Sequence, residues 1–273
     1  MWSNSGYRGD NAGWYHNAGN TDASQTTAFL ARADAITTVG STERAAYKKL
    51  INGMVSDGDF ALMDALYIYA TDTQAHALLD LTANALNGTT HGTVSFSADH
   101  GFTGNSSDFY IDTGYSPSGT KNYTSSSSSL GVYSLSSRTT GQNWINIGSQ
   151  NNGSTIYHAL YPKFTDNNAY VQYTGNAGAA MANAQGLSIG VRTSSTAMAL
   201  WKNGSSVTTS SSATAALPGN SFYIFCTNNG LNVGAQYTSD QLSAAFMGGG
   251  GINVANVSSR INQYMTDLGI NVY

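Results

Sequence analysis

The chain has 273 residues, of which 41% are apolar, and this is enough material for one large domain or two small ones. Charged residues make up only 10% of the chain, the net charge is −4, and the 11 basic residues are scattered, with Lys48 and Lys49 as their one adjacent pair. This pattern offers no basic patch for a nucleic-acid backbone, so we expect no nucleic-acid partner.

Cysteine content and hydropathy restrict the covalent and membrane chemistry of the chain. Cys226 is the only cysteine, so no intrachain disulfide can form, and its apolar surroundings predict a buried thiol. No charged leader followed by an apolar run opens the sequence, and no apolar stretch approaches the roughly 18 residues that span a bilayer. We therefore expect neither a secretory signal peptide nor membrane insertion.

Residues 1–20 form a Gly- and Asn-rich arm with interleaved aromatic residues and no regular period. Four large aromatic side chains are unusual in a solvated tail. We therefore weigh two interpretations equally: the arm docks on a partner or a neighbouring subunit, which would give a homo-oligomer, or it is a poorly ordered terminus. The candidate docking residues are Trp2, Tyr7, Trp14 and Tyr15.

Residues 21–90 have the periodicity of helices. Asp22 is placed to cap a first helix that ends by Gly40, and Ser41 begins a second. The first helix would bury Phe29, Leu30, Ala33 and Ile36. A third apolar set with helical spacing predicts another helix and consists of Phe60, Leu62, Met63, Leu66 and Tyr67. The sequence thus predicts a small helical segment that precedes the following domain or packs on it.

From residue 91 onward the pattern changes to short strands separated by turns. In the clearest stretch, Leu187, Ile189 and Val191 alternate with polar or small residues, which predicts one buried face and one face open to solvent or ligand. Asn203 and Gly204 then favour the positive φ angles of a tight hairpin turn. Ten or so such strands, set apart by Asn- and Gly-rich clusters, predict a two-sheet sandwich.

The last residues return to a helical pattern after four consecutive glycines. Asn253 is placed to cap this helix and Gly269 to end it. Its apolar face comprises Val254, Val257, Ile261, Tyr264 and Leu268.

The predicted fold class is therefore mainly β: a two-sheet antiparallel jelly-roll sandwich with a small helical N-terminal segment and a C-terminal amphipathic helix. We divide the chain into the aromatic arm at 1–20, the helical segment at 21–90 and the sandwich with its terminal helix at 91–273.

Three segments, in this order, resemble the concanavalin A-like (laminin-G-like) jelly-roll domains of tailed-bacteriophage virion proteins. They are residues 108–118 (DFYIDTGYSPS), residues 192–204, which end in Leu-Trp-Lys-Asn-Gly, and residues 237–269, which begin YTSDQLSAAFMGGG. The resemblance implies a virion surface or tail-associated module, assembled in the bacterial cytoplasm, with other virion proteins as partners. It carries no catalytic residue onto this sequence.

The carboxylate pattern of a glycanase is missing. Retaining glycanases hold two carboxylates about 5 Å apart, whereas Glu43 is the only glutamate and lies at the start of a predicted helix. Asp108 and Asp112 could share a predicted strand face, but about 13 Å would separate them. We therefore expect no enzyme, with a glycoside hydrolase as a distant alternative.

The histidines show no metal-ligand spacing. We expect each imidazole on the surface or in a loop, and we expect neither a metal site nor a cofactor. The histidines are His16, His76, His91, His100 and His158.

Residues 142–173 combine aromatic and amide side chains, as sugar-binding sites in β-sandwiches do. Alternation along 169–173 places Tyr170 and Gln172 on one face, opposite Val171. We predict Trp144, Tyr170 and Gln172 as ligand-binding residues, and the alternative is that these aromatics pack between sheets or subunits.

The predicted function is a bacteriophage structural protein that decorates the capsid, collar or tail and presents a lectin-like sandwich to cell-surface glycans. The alternative is a free-standing lectin or adhesin, which would be extracellular.

Overall fold

The fold is described by a computed structural model that covers residues 21–84, 86–119, 121–152, 156–173, 175–214, 216–231 and 234–273. The aromatic arm at 1–20, with Trp2, Tyr7, Trp14 and Tyr15, lies outside the described residues. None of the helices in the described ranges combines the length and apolar character that crossing a membrane requires.

Eight strands of the described chain form the first sheet. They are β1 (Met63–Ile68), β3 (Phe96–Ser97), β4 (Gly101–Thr103), β6 (Ser128–Ser134), β11 (Gly186–Ser194), β12 (Ala197–Lys202), β13 (Ser205–Ser210) and β17 (Gln241–Gly248). The order is β13-β12-β11-β6-β17-β4-β3, and β1 pairs antiparallel with β17 on the side that β4 also uses. The hairpin from β12 to β13 turns at Asn203 and Gly204, both at positive φ, as predicted.

Nine strands of the described chain form the second sheet. They are β2 (Thr89–His91), β5 (Tyr110–Asp112), β7 (Ile147–Gln150), β8 (Tyr157–Tyr161), β9 (Asn168–Tyr173), β10 (Asn176–Ala180), β14 (Tyr223–Ile224), β15 (Thr227–Asn228) and β16 (Gly234–Ala235). The main path is β10-β9-β8-β7-β14-β5-β2, with antiparallel neighbours throughout. The predicted fold class, a mainly β two-sheet sandwich, is confirmed.

The two large apolar cores lie one on each face of the first sheet, and a third, small cluster of Ile145, Ala159 and Tyr161 lies on the second sheet. The core between the sheets includes Tyr67, Phe102, Val171, Leu200 and Phe222. The core between the first sheet and the helices includes Phe29, Leu50, Ile189, Phe246 and Ile261. The first sheet is therefore covered on both faces, whereas the outer face of the second sheet has no helical layer among the described residues.

Four α-helices are described: α1 (Ser24–Asp34), α2 (Ser41–Asp57), α3 (Gln74–Ala77) and α4 (Val254–Asp267). The predicted start of α4 is confirmed, because the Asn253 side chain accepts a hydrogen bond from the backbone N–H of Asn256 (3.2 Å). Gly269 follows the helix at φ +73°, as predicted.

The predicted cap of α1 is wrong. Ala23 occupies the N-cap position, and Asp22 instead accepts a hydrogen bond from Asn52 (3.1 Å) and pairs with Lys48 (2.7 Å), both on α2. Gly40 proves to be the N-cap of α2, and Ile36 lies beyond the end of α1 and is 51% exposed.

The predicted third helix is also wrong. A short 3-10 turn (Phe60–Leu62) leads directly into strand β1. All six residues of β1 are buried because its two faces pack against the two different cores. An apolar run without alternation cannot be told from a helix by periodicity alone.

The second face of β11 differs from the prediction as well. We expected it to meet solvent or ligand, but Ser188 is 1% exposed and Arg192 is fully buried. This face turns towards the second sheet, where the Tyr173 hydroxyl donates to the carbonyl of Gly190 (2.8 Å). The buried Arg192 guanidinium donates hydrogen bonds to main-chain carbonyls, including that of Ser212 (3.0 Å).

Two histidines are not on the surface, contrary to the prediction. His76 is buried; its Nε2 donates to the carbonyls of Ala33 (3.1 Å) and Thr37 (3.0 Å), and its Nδ1 lies 2.6 Å from the Asp72 carboxylate. His158 is 1% exposed between the sheets. The single thiol behaves as predicted, because Cys226 is fully buried and free.

Candidate functional site

The outer face of β9 carries the two adjacent candidate residues of the sequence prediction. Ala169, Val171 and Tyr173 are buried in the core between the sheets, whereas Tyr170 and Gln172 are partly exposed on the other face. The predicted alternation is therefore confirmed, and the position of Tyr170 and Gln172 outside the inter-sheet core excludes packing between the sheets for this pair.

Tyr170 and Gln172 line a shallow depression of about 200 Å³ on the second sheet. Its other lining residues are Tyr161 from β8, Phe164 from the β8–β9 turn and Asn176 from β10. We call these five residues the aromatic surface. Gln172 and Asn176 are direct partners across the two antiparallel strands, so their amide groups lie side by side at one end of the depression.

The Tyr170 ring is held in place from several sides. Its hydroxyl donates to the Asp166 carboxylate (2.5 Å) and accepts from the Asn168 amide (3.0 Å). Gly178 lies opposite Tyr170 on β10, and the Phe164 ring meets it nearly edge-on at 6.0 Å between centroids. The ring is therefore held in one orientation by contacts within the chain.

The hydrogen bond between Tyr170 and Asp166 favours a neutral phenol and an ionised carboxylate. The bond from Tyr170 lowers the pKa of the Asp166 carboxyl, and in turn the Asp166 carboxylate raises the pKa of the Tyr170 phenol. Near neutral pH the surface thus consists of neutral rings and amides with one carboxylate at its rim.

Tyr161 forms the floor of the depression. It is 5% exposed, its ring meets Phe164 edge-on at 5.3 Å, and its hydroxyl is hydrogen-bonded to that of Tyr157. Tyr157 also contacts the side-chain oxygen of Gln236 (3.2 Å). This chain of contacts ties the floor to a distant loop and makes it rigid.

Trp144, the third predicted ligand-binding residue, lies elsewhere. It precedes β7, and its ring stacks on the guanidinium of Arg138 at 5.0 Å. Arg138 in turn donates two hydrogen bonds to Asp240 (3.1 and 3.0 Å). Trp144 is not a lining residue of the depression, so the structure brings together two of the three predicted residues.

Three residues of the aromatic surface were missed by the sequence reasoning. Tyr161 and Phe164 belong to the aromatic stretch at 142–173. Only the pairing of the strands shows that they lie beside Tyr170. Asn176 could have been found from the sequence, because Gly175 before it is a turn signal; the structure pairs Asn176 with Gln172.

Asp108 and Asp112 do not lie on one strand, contrary to the expectation from the sequence. The strand expected at 108–114 is limited to β5, and Asp108 lies before it in a loop, where the Asn105 amide donates to its carboxylate (2.5 Å). Asp108 and Asp112 therefore do not share a strand face.

Glu43 does meet other carboxyl groups, which the sequence did not predict. It is 8% exposed, and burial together with the carboxyls of Asp99 and Asp72 raises its pKa. The cavities around Tyr170, Trp201, Lys49 and Asn84 are all lined by other residues, so none of them would bring a substrate to this cluster. In the described ranges, no group of three His, Cys, Asp or Glu side chains has the arrangement of a metal site.

Comparison with known proteins supports the fold. No family model matches the sequence, and no curated protein matches it. Domain 4 of AbnA, a GH43 extracellular arabinanase from Geobacillus stearothermophilus, was solved in complex with arabinotriose. It superposes with a TM-score of 0.51 at 14% identity, over 73% of this chain and 98% of that domain.

A second solved structure is the botulinum neurotoxin serotype D ligand binding domain in complex with N-acetylneuraminic acid. Its TM-score is 0.50 at 10% identity, over 76% of this chain and 52% of that one. This chain thus matches about half the length of the neurotoxin domain. At such low identities the two likenesses establish a shared β-sandwich fold.

Proposed function

We propose that this chain is a non-catalytic carbohydrate-binding module that recognises a terminal sugar of a cell-surface glycan at the aromatic surface. The observation that carries the proposal is the placement of a fixed, partly exposed Tyr170 ring beside the amides of Gln172 and Asn176. Neither amide side chain makes a hydrogen bond within the described part of the chain.

This combination matches the chemistry of a sugar ring. The C–H face of a sugar stacks on an aromatic face, while its hydroxyl groups both donate and accept hydrogen bonds. An amide side chain offers two donors and an acceptor, so Gln172 and Asn176 can satisfy adjacent hydroxyls.

The size and charge of the depression restrict the class of sugar that it could bind. A volume of about 200 Å³ is below the roughly 300–1,000 Å³ of enclosed small-molecule pockets, so the depression suits one sugar residue at the end of a chain. The carboxylate of Asp166 at its rim disfavours an acidic sugar. Single-site affinity would be weak, and several copies on one particle would raise it by multivalency.

We further infer that the module is part of a tailed-bacteriophage virion, on the capsid, collar or tail. What supports this is the ordered resemblance of residues 108–118, 192–204 and 237–269 to virion jelly-roll domains. Other virion proteins and further copies of the chain would then be its partners, with Trp2, Tyr7, Trp14 and Tyr15 as the docking residues. A free-standing lectin or adhesin is the alternative.

Electron microscopy separates these two settings. Density for this chain at symmetric positions on purified virions supports the virion assignment. A protein that is absent from particles and binds glycans as a soluble monomer would support the lectin instead.

A glycan array tests the binding surface. We expect the wild-type protein to bind neutral terminal sugars, and Tyr170→Ala and Gln172→Ala each to reduce binding about tenfold or more. Gln263→Ala, which removes an exposed amide on α4, is the matched control and should bind normally. Trp144→Ala reports whether Trp144 contributes. If Tyr170→Ala and Gln172→Ala bind as well as the control, the aromatic surface is not the site.

A further inference from the structure

A large cavity lies on the first sheet, on its helix-covered side. Its volume is about 870 Å³, and it is a groove between the β12–β13 hairpin and the loop that leads into α4. Met198 and Leu200 of β12 point into the core between the sheets, so the alternating residue Trp201 faces outwards into the groove. We call this cavity the Trp201 groove.

Apolar side chains form the floor of the Trp201 groove. Ile252 is 7% exposed and Val254 is 6% exposed, and the Trp201 ring packs against the same helix-side core while remaining partly open. One part of the indole is thus anchored by the protein, and another part is available for stacking. No hydrogen bond is formed by its Nε1 within the described part of the chain.

Neutral polar groups form the rim. Thr193 extends from β11, Thr209 lies on β13, and Asn253 lies at the start of α4. The hydroxyls of both threonines are exposed, and neither takes part in a hydrogen bond among the described residues. None of the residues that line the groove carries a charge.

We propose that the Trp201 groove is a second carbohydrate site, which binds an internal stretch of a neutral oligosaccharide. The uncharged lining offers no partner for a sialic or uronic acid, whose carboxylate would lose its hydration without compensation. A charged peptide segment or another anionic ligand is disfavoured for the same reason, since its charged groups would go unpaired. The volume of about 870 Å³ lies within the usual range for ligand pockets and exceeds that of the aromatic surface about fourfold.

The two sites lie on opposite sides of the sandwich. The aromatic surface is on the outer face of the second sheet, and the Trp201 groove is on the outer face of the first. A single chain can therefore hold two glycan strands at once, which would let it cross-link a polysaccharide layer. The second site does not depend on the proposed function of the first.

The experiment compares three variants on an array of neutral and acidic glycans. The variants are Tyr170→Ala, Trp201→Ala and the double variant. We expect Tyr170→Ala to retain binding to neutral internal chains, Trp201→Ala to lose at least about tenfold of that binding, and the double variant to bind nothing. Thr209→Val keeps the side-chain shape and serves as a second test in case Trp201→Ala misfolds. We expect it to weaken binding to neutral internal chains while the melting temperature stays unchanged.

Each other outcome has a defined meaning. If Tyr170→Ala abolishes all glycan binding, the Trp201 groove is not a carbohydrate site, although the proposed function stands. If Trp201→Ala loses binding to every glycan, terminal sugars included, while Tyr170→Ala binds all of them normally, the inference stands and the aromatic surface is excluded. Concentration-dependent dimerisation that Trp201→Ala prevents, without neutral-glycan binding, would assign the groove to a second copy and overturn the inference.

Discussion

The ring of Tyr170 covers Gly178, its direct partner on the neighbouring strand. A Cβ atom on Gly178 would lie 2.1 Å from ring carbon Cε1 and 2.2 Å from Cδ1, so no other residue fits beneath the ring in its present position. The hydrogen bonds of the phenol to Asp166 and Asn168 fix the opposite end of the side chain. The orientation of Tyr170, the proposed stacking residue, therefore depends on a glycine at position 178.

Gly178→Ala should accordingly displace the Tyr170 ring and reduce glycan binding about as strongly as Tyr170→Ala. The free energy of unfolding should change by less than about 1 kcal/mol, because β10 is an edge strand of the second sheet and alanine is more favourable than glycine in a strand. Binding on the glycan array and urea unfolding measure the two effects. Gly219→Ala is the control, since its Cβ would meet Asn151 at an ordinary 3.5 Å; unchanged binding by Gly178→Ala would contradict the prediction.

The buried His158 should make the fold sensitive to acid. Burial, and then the charge of Arg192, lower the pKa of His158 to about 3, whereas an unfolded histidine titrates near 6.5. The unfolded state therefore binds the proton more readily between these values. The free energy of unfolding is at its full value above about pH 6.5 and falls with acidification, by at most about 1.4 kcal/mol per pH unit from this group.

Urea titrations from pH 7.5 down to pH 4.5 measure this slope, and His158→Gln should flatten it. His91→Gln is the control, because it makes the same substitution at an exposed side chain. Equal slopes for the wild type and His158→Gln would show that His158 takes up its proton without unfolding.

Lys202 should give a second pH dependence in the alkaline range. Burial lowers its pKa to about 7, and its Nζ donates to the Ala184 carbonyl (3.2 Å) and the Ser188 hydroxyl (3.0 Å). An unfolded lysine titrates near 10.4, so the unfolded state retains its proton where the native state has lost it. The free energy of unfolding should rise between about pH 7 and pH 10, and Lys202→Met should remove that rise in urea titrations. A rise that persists in the variant would assign it to another group.

The thiol of Cys226 should be inert in the folded protein. It is fully buried, and burial raises its pKa well above the usual range, so neither access nor ionisation favours reaction. We expect no reaction with a disulfide reagent such as DTNB in buffer, and one thiol per chain in concentrated guanidinium chloride. Rapid labelling of the native protein would show that the region around Cys226 opens.

Local patterns predicted those parts of the fold that depend on neighbouring residues. Alternation along β9 placed Tyr170 and Gln172 on the outer face, the Asn203-Gly204 pair placed a hairpin, and Asn253 placed the start of α4. Each of these signals is contained within a few residues, so the sequence is sufficient to find it.

The remaining features depend on residues far apart in the sequence. Strand β1 looked helical because both of its faces are apolar, and only its pairing with β17 shows it to be a strand. Trp201 belongs to a turn motif that the sequence shows. Its groove also needs Ile252 and Asn253, which lie about fifty residues further along the chain. His158 could not be placed in the interior, since the groups that satisfy it, such as the Tyr123 hydroxyl (2.7 Å), come from another segment.

The position of β17 in the first sheet bears on how the chain is made. This strand pairs with β6 along one edge and with β1 and β4 along the other, although it comes far after all three in the sequence. A nascent chain on the ribosome must therefore keep the edges of β1, β4 and β6 open until β17 has been synthesised. Contacts of such long sequence separation slow folding, and open edges invite aggregation. Removal of the segment from residue 241 onward would leave the edges of β1, β4 and β6 unpaired. We therefore do not expect the remaining chain to fold as a smaller protein.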